Sequence, residues 1–111
     1  METTLEEALD IMNRWAAADR TVRAIGEFGM GAFFVNGHLI EVVPQKVELS
    51  LTGVGIISFD PRNKAIDYSD VREAPKRVRA NLEHVYDEAL LFKVDEKNTI
   101  MLFALLETGA K

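Results

Sequence analysis

Two runs of this chain, Met30 to Val35 and His38 to Val43, alternate apolar residues onto both of their faces, and that pattern restricts the fold more than any other feature. Between them stands Asn36-Gly37, the pair best suited to the two positive φ angles of a type I′ turn, so the sequence predicts a two-residue hairpin. Its register sets Val35 against His38, Phe33 against Ile40 and Gly31 against Val42 on one side. Phe34 meets Leu39 and Ala32 meets Glu41 on the other. A sheet built on such a hairpin needs cover on both faces, because a monomer rarely leaves more than a few hundred Å² of apolar patch in water.

One segment offers a long cover. Thr4-Leu5-Glu6-Glu7 is a capping box, in which the Thr oxygen takes a backbone N–H and the Glu reaches back. Glu6, Glu7 and Asp10 then crowd the N-terminal half, Arg20 and Arg23 the C-terminal half, as the helix dipole favours. Gly26 fits a left-handed cap. The pattern predicts a helix from Thr4 to Ile25. At 100° per residue, Leu5, Ala8, Leu9, Ile11, Met12, Trp15, Ala16, Ala18 and Val22 share one half of the wheel, with Glu6, Asp10, Asn13, Arg14 and Thr21 on the other. Asp19 breaks the pattern: it falls inside the apolar arc beside Ala8 and Met12, with Arg23 one turn later.

The remaining elements follow from alternation and turn chemistry. Lys46 to Thr52 alternates cleanly and predicts a strand with one wet face. Gly53 and Gly55 mark a bend, Val54 to Phe59 a further strand, Asp60-Pro61-Arg62-Asn63 a turn, and Ala65 to Tyr68 a short return strand. Pro75 can open a helix, and Val78, Leu82 and Val85 stand at helical spacing, so a short second helix is expected from Pro75 to Val85. Ala89 to Val94, the turn Asp95 to Asn98, and Thr99 to Leu106 read as a last hairpin. The expected fold is α+β: an N-terminal amphipathic helix packed on a curved antiparallel sheet, a meander or half-barrel of about six to seven strands, with a short second helix before the last hairpin. One domain spans residues 1–111.

Composition narrows the function classes. Hydrophobic residues make up 48% and charged residues 28% of the chain, which argues against disorder. The formal net charge is -5, a field that repels phosphate backbones and makes nucleic acid an unfavourable partner. With no cysteine there is no disulfide, thiolate metal site or cysteine nucleophile. Glu2, Glu6 and Glu7 are the opposite of a secretory leader. The nearly uncharged run Phe28 to Ile40 is too short to span a membrane and is broken by Gly29, Gly31 and Gly37. A cytoplasmic protein without membrane contact is expected.

Few residues suggest chemistry. Asp19, if buried on the apolar helix face, would have a raised pKa suited to acid–base work; the alternative is a wet side chain paired with Arg23 four residues on. Glu41 sits among Phe34, Leu39 and Val43 and is the second acid–base candidate, or else an edge charge that blocks aggregation. His38 and Glu41 point to opposite faces of a regular strand, so they act together only across a bulge. Trp15 with Phe33 or Phe34 could line a cavity between helix and sheet, with Asp19, Arg23 and Glu41 as its polar groups. Arg72, Lys76, Arg77 and Arg79 form the one basic cluster, a candidate anion site.

No cofactor is expected. Gly29-Met30-Gly31 lacks the third glycine of a dinucleotide loop and follows a helix instead of a strand. No metal is expected, since His38 and His84 are far apart and Asp67, Asp70 and Glu73 are loosely spaced. None of Ser50, Ser58 and Ser69 lies in a nucleophile elbow. The sequence therefore points to a non-enzymatic binding or interaction protein. It is expected to be a homo-oligomer, a dimer by default, offering an apolar sheet face or a helix–sheet cavity to a small apolar ligand or a protein partner. One alternative is a small cofactor-free isomerase or hydrolase with Asp19 as acid or base. Another is an anion- or nucleic-acid-linked accessory protein acting through the basic cluster.

Overall fold

The structure, a computed structural model, describes residues 1–51, 55–62, 65–78 and 81–106, with residues 81–83 described by their backbone alone. The capping box forms as the sequence predicts. The Thr4 hydroxyl accepts from the Glu7 N–H at 3.1 Å, and Glu7 Oε1 accepts from the Thr4 N–H at 3.1 Å. The helix it opens, α1 (Leu5–Ala17), stops well short of the expected Ile25. Its stop is Asp19, the one non-glycine residue with positive φ among the described residues, at 53°. The Asp19 N–H donates to the Ala16 carbonyl and the Arg20 N–H to the Trp15 carbonyl, both at 3.0 Å. That double return satisfies carbonyls that a helix end otherwise leaves bare. Asp tolerates the left-handed region better than most residues, so the misfit on the apolar arc is the helix terminator. Gly26 is not the cap: it lies within β1 (Val22–Phe28), where the Phe33 ring folds over its bare Cα.

Seven further strands follow: β2 (Gly31–Val43), β3 (Lys46–Leu51), β4 (Gly55–Phe59), β5 (Ala65–Asp70), β6 (Lys76–Val78), β7 (Asn81–Lys93) and β8 (Thr99–Leu105). They form one antiparallel sheet in the order β4-β3-β2-β1-β8-β7-β5, with β6 on β7. The expectation of two helices and six to seven strands is thus corrected to one helix and an open sheet of eight strands among the described residues. The segment expected as a second helix, Pro75 to Val85, becomes β6 and the start of β7. The cause is non-local. β7 carries ladders on both edges, with β8 on one side and with β5 and β6 on the other, and a helix there would forfeit those backbone hydrogen bonds.

Asn36-Gly37 is not a turn either. β2 runs straight through it, and the chain reverses instead at Gly29-Met30. Gly37 is where β2 changes neighbours, facing Val22 of β1 and Leu51 of β3. A Cβ at Gly37 would stand 2.5 Å from the Ser50 carbonyl oxygen, so glycine allows a close backbone approach there. The last hairpin forms as expected. Asp95 Oδ1 accepts from the Lys97 N–H at 2.8 Å and from the Asn98 N–H at 2.9 Å.

The sheet is curved although open. Residues 60–64 link β4 to β5 at the opposite end of the strand order, a reach of about 22 Å at most. A flat sheet of seven strands would separate them by about 29 Å. Curvature brings the Phe59 and Phe92 rings to a centroid distance of 5.1 Å. Closure does not follow, because Met1–Thr3 already occupy the outer side of β5. The Thr3 N–H donates to the Ile66 carbonyl at 2.9 Å and the Tyr68 N–H to the Met1 carbonyl at 2.8 Å.

Apolar residues cluster on both faces. Under the helix, Ala8, Met12 and Trp15 pack on Val22, Ala24, Leu39, Val47, Leu49, Leu90, Phe92 and Leu102. Each large side chain there contributes about 2 kcal/mol of burial. On the opposite face, Ile25, Val78, Phe103 and Leu105 form a smaller cluster with Tyr86, Ala89 and Met101.

Candidate functional site

A single buried carboxylate fixes the helix to the sheet. Glu88 is 1% exposed, next to the helix-side core residues Leu90 and Phe92 of β7. A bulge between Tyr86 and Glu88 creates this placement: it shifts the alternation, so that Glu88 faces the helix while Tyr86 joins the opposite cluster. Arg14 grips the carboxylate with both guanidinium nitrogens, Nη1 to Oε1 at 2.7 Å and Nη2 to Oε2 at 2.8 Å. The Trp15 indole N–H donates to Oε1 at 3.1 Å and the Tyr68 hydroxyl to Oε2 at 2.5 Å. Alongside, Arg20 pairs with Asp87 at 2.8 Å and donates to the Ala104 and Leu105 carbonyls at 3.1 and 3.0 Å.

The chemistry of Glu88 is that of a pin. Burial alone would raise its pKa, but the hydrogen bonds from Arg14, Tyr68 and Trp15 and the Arg14 charge outweigh it and hold the carboxyl at about 2. Burial, then the bond and charge of Glu88, push Tyr68 up to about 12. An acid so far from neutrality, with its acceptor sites filled, is poorly matched to proton transfer at pH 7.

The helix-free face is built differently. Two rows of side chains cross it, read from the strand registers. One runs Asn36, Arg23, Phe103, Ala89, Ser69, and the other Phe34, Ile25, Met101, Leu91, Asp67. Where these rows cross β8, β7 and β5 a pocket of about 300 Å³ opens. Its floor is Tyr86, Ala89, Leu91, Met101 and Phe103, and Asp67, Ser69 and Arg77 supply the polar groups. That volume is at the lower end of the range that ligand pockets fill, and the mix of apolar floor with a few polar groups is their usual make-up. One strand away lies Arg23, 7% exposed, its Nε donating to Asn36 Oδ1 at 2.5 Å. Burial lowers its pKa.

The residues singled out in the sequence scatter. Trp15 and Phe33 lie on the helix side, Trp15 in a filled core and Phe33 over Gly26, while Phe34 is on the other face and 48% exposed. Arg23 is in β1 and not beside Asp19. The Asp19 side chain is 87% exposed, with Oδ1 at 3.2 Å from His38 Nδ1. A bulge between Leu39 and Glu41 does return His38 and Glu41 to one face. Their partners nonetheless differ, since Glu41 Oε1 meets Lys46 Nζ at 2.8 Å.

The basic cluster is not a surface of one sign. Arg72 is paired with Asp70, and Lys76 shares a shallow depression with Asp70 and Glu73. Arg77 borders the helix-free pocket instead, and Arg79 lies outside the described residues. Among the described residues, no three His, Asp or Glu side chains converge as a metal site, and no helix is long and apolar enough to cross a membrane.

Glu88, Arg14, Arg20 and Tyr68 were not legible as a group. A faint signal existed in Glu88-x-Leu90-x-Phe92, an acid in phase with a buried strand face. No family model matches the chain, and neither a curated protein nor a solved structure is significantly similar to it.

Proposed function

We propose that this protein is a non-enzymatic binding module that takes a small, largely apolar ligand on the sheet face away from the helix. The pocket over Leu91, Met101 and Phe103 carries this reading, with Asp67, Ser69 and Arg77 to orient a polar group. The helix-side alternative has less support, because Ala8, Met12 and Trp15 already fill that space. An acid–base role has little support at Asp19 or Glu41, both of which face solvent, Asp19 beside His38 and Glu41 in an ion pair with Lys46. The test is binding of the fluorescent amphiphile anilinonaphthalene sulfonate. Leu91→Glu puts a charge on the pocket floor and is expected to weaken binding by about tenfold or more with an unchanged circular dichroism spectrum. Equal binding by the variant and the parent protein would sink the proposal.

A further inference from the structure

The two outer edges of the sheet are protected unequally. On one side, Met1–Thr3 cover β5, and β6 carries Lys76 and Arg77 directly after Pro75. Such coverings, charges and prolines keep an edge from recruiting another strand. On the other side, β4 reads Gly55-Ile56-Ile57-Ser58-Phe59, with no charge and no proline, and its register with β3 contains no bulge. Among the described residues β4 pairs with β3 alone. Ile56 is 60% exposed, and a Cβ built on Gly55 would meet nothing within 4 Å. The strand that closure would bring to β4 is β5, whose outer side is taken.

We propose that β4 pairs antiparallel with β4 of a second copy about a two-fold axis at Ile57, joining two sheets into one continuous sheet. The segment is complementary to itself in that register. Ile57 meets its own copy and Ile56 faces Ser58. Phe59, whose ring packs on Phe92, lies opposite Gly55, which has no side chain to clash with it. No charge of one copy meets a like charge of the other. In a chain of net charge -5, an uncharged edge adds no local like-charge contact to the overall repulsion. Backbone hydrogen bonds supply the attraction, and the isologous geometry closes at two copies. The inference is independent of the ligand on the helix-free face.

The absence of cysteine makes a direct test available. Under mild oxidation, Ile57→Cys is expected to give a disulfide-linked dimer, because residues facing themselves across an antiparallel pair bring their Cβ atoms close. Phe34→Cys, on the helix-free face, is expected to stay unlinked. Light scattering of the unmodified chain at high micromolar concentration should give the mass of two copies. Ile56→Lys, a change at an exposed side chain, should weaken that association by about tenfold or more. On dilution of the unmodified protein, amide protection should fall in β4 and persist in β5. A monomer at high concentration overturns the proposal, as does cross-linking through Phe34→Cys in place of Ile57→Cys. So does a β4 edge that is protected only in a complex with a different protein.

Discussion

The two faces of this sheet are stabilised by opposite means. Under the helix, apolar packing is finished by one fully satisfied polar group, Glu88, which three side chains reach from α1 and β5. On the other face the chain packs a small cluster around Ile25 and Phe103 and then stops, leaving a pocket with a partly polar lining. The contrast separates two uses of polar residues. Where the carboxylate is saturated and buried it fixes how the helix sits. Ser69 stands beside an unfilled apolar floor, and so does Asp67, whose half-exposed carboxylate lies 3.7 Å from the Met1 ammonium. The bulge between Tyr86 and Glu88 serves this division, since it turns the carboxylate toward the helix and leaves Tyr86 in the opposite cluster.

The largest way to break the contrast is Glu88→Ala. It leaves Trp15, Tyr68 and the half-exposed Arg14 facing an empty position and should cost on the order of 3 kcal/mol in urea denaturation, enough to loosen the helix. At urea concentrations where the variant is still folded, the pocket on the far face should bind the probe as before. Loss of binding in step with stability would show that the faces are not separable.

Acid offers a second route to the same pin. The folded pKa of Glu88, about 2, lies below its ordinary 4.5, so its contribution is complete above pH 4.5 and disappears as pH falls from there through about 2. The amount is on the order of 3 kcal/mol. Urea midpoints measured across that window should fall steeply in the parent protein and less in Glu88→Gln. Identical slopes would mean that Glu88 is not the group whose protonation loosens the fold.

The smallest expected effect is a gain. Asp19 holds a left-handed φ that glycine adopts freely, and its exposed pairing with His38 contributes little. Asp19→Gly should stabilise the protein by up to about 1 kcal/mol, read as a higher urea midpoint. A loss of stability would mean that the side chain of Asp19 matters and that its backbone conformation does not explain its presence.

Local chemistry was legible in the sequence wherever partners are near in the chain. Thr4 and Glu7, the alternation of Lys46–Leu51, and the Asp95 turn all read correctly for that reason. The failures are non-local. Val22 suits a helical arc as well as a strand, and only pairing with β2 and β8 decides between them. Val78 and Val85 stand at helical spacing, yet β7 gains more from ladders on both its edges. Asn36-Gly37 has ideal hairpin chemistry, but seven register pairs between β1 and β2 outweigh one favourable turn. The Glu88 cluster was hidden most deeply. Its partners are 20 to 74 residues away, and a bulge disguises which way the carboxylate faces.

Amide and indole NMR spectra during titration with anilinonaphthalene sulfonate tell which face of the sheet takes the ligand. The chain has one tryptophan, and its indole N–H is bonded to Glu88, so it reports on the helix side alone. Binding on the helix-free face should shift Ser69, Leu91, Met101 and Phe103 and leave the Trp15 indole signal unmoved. Shifts centred on Trp15 and Met12, with the helix-free face silent, would contradict it.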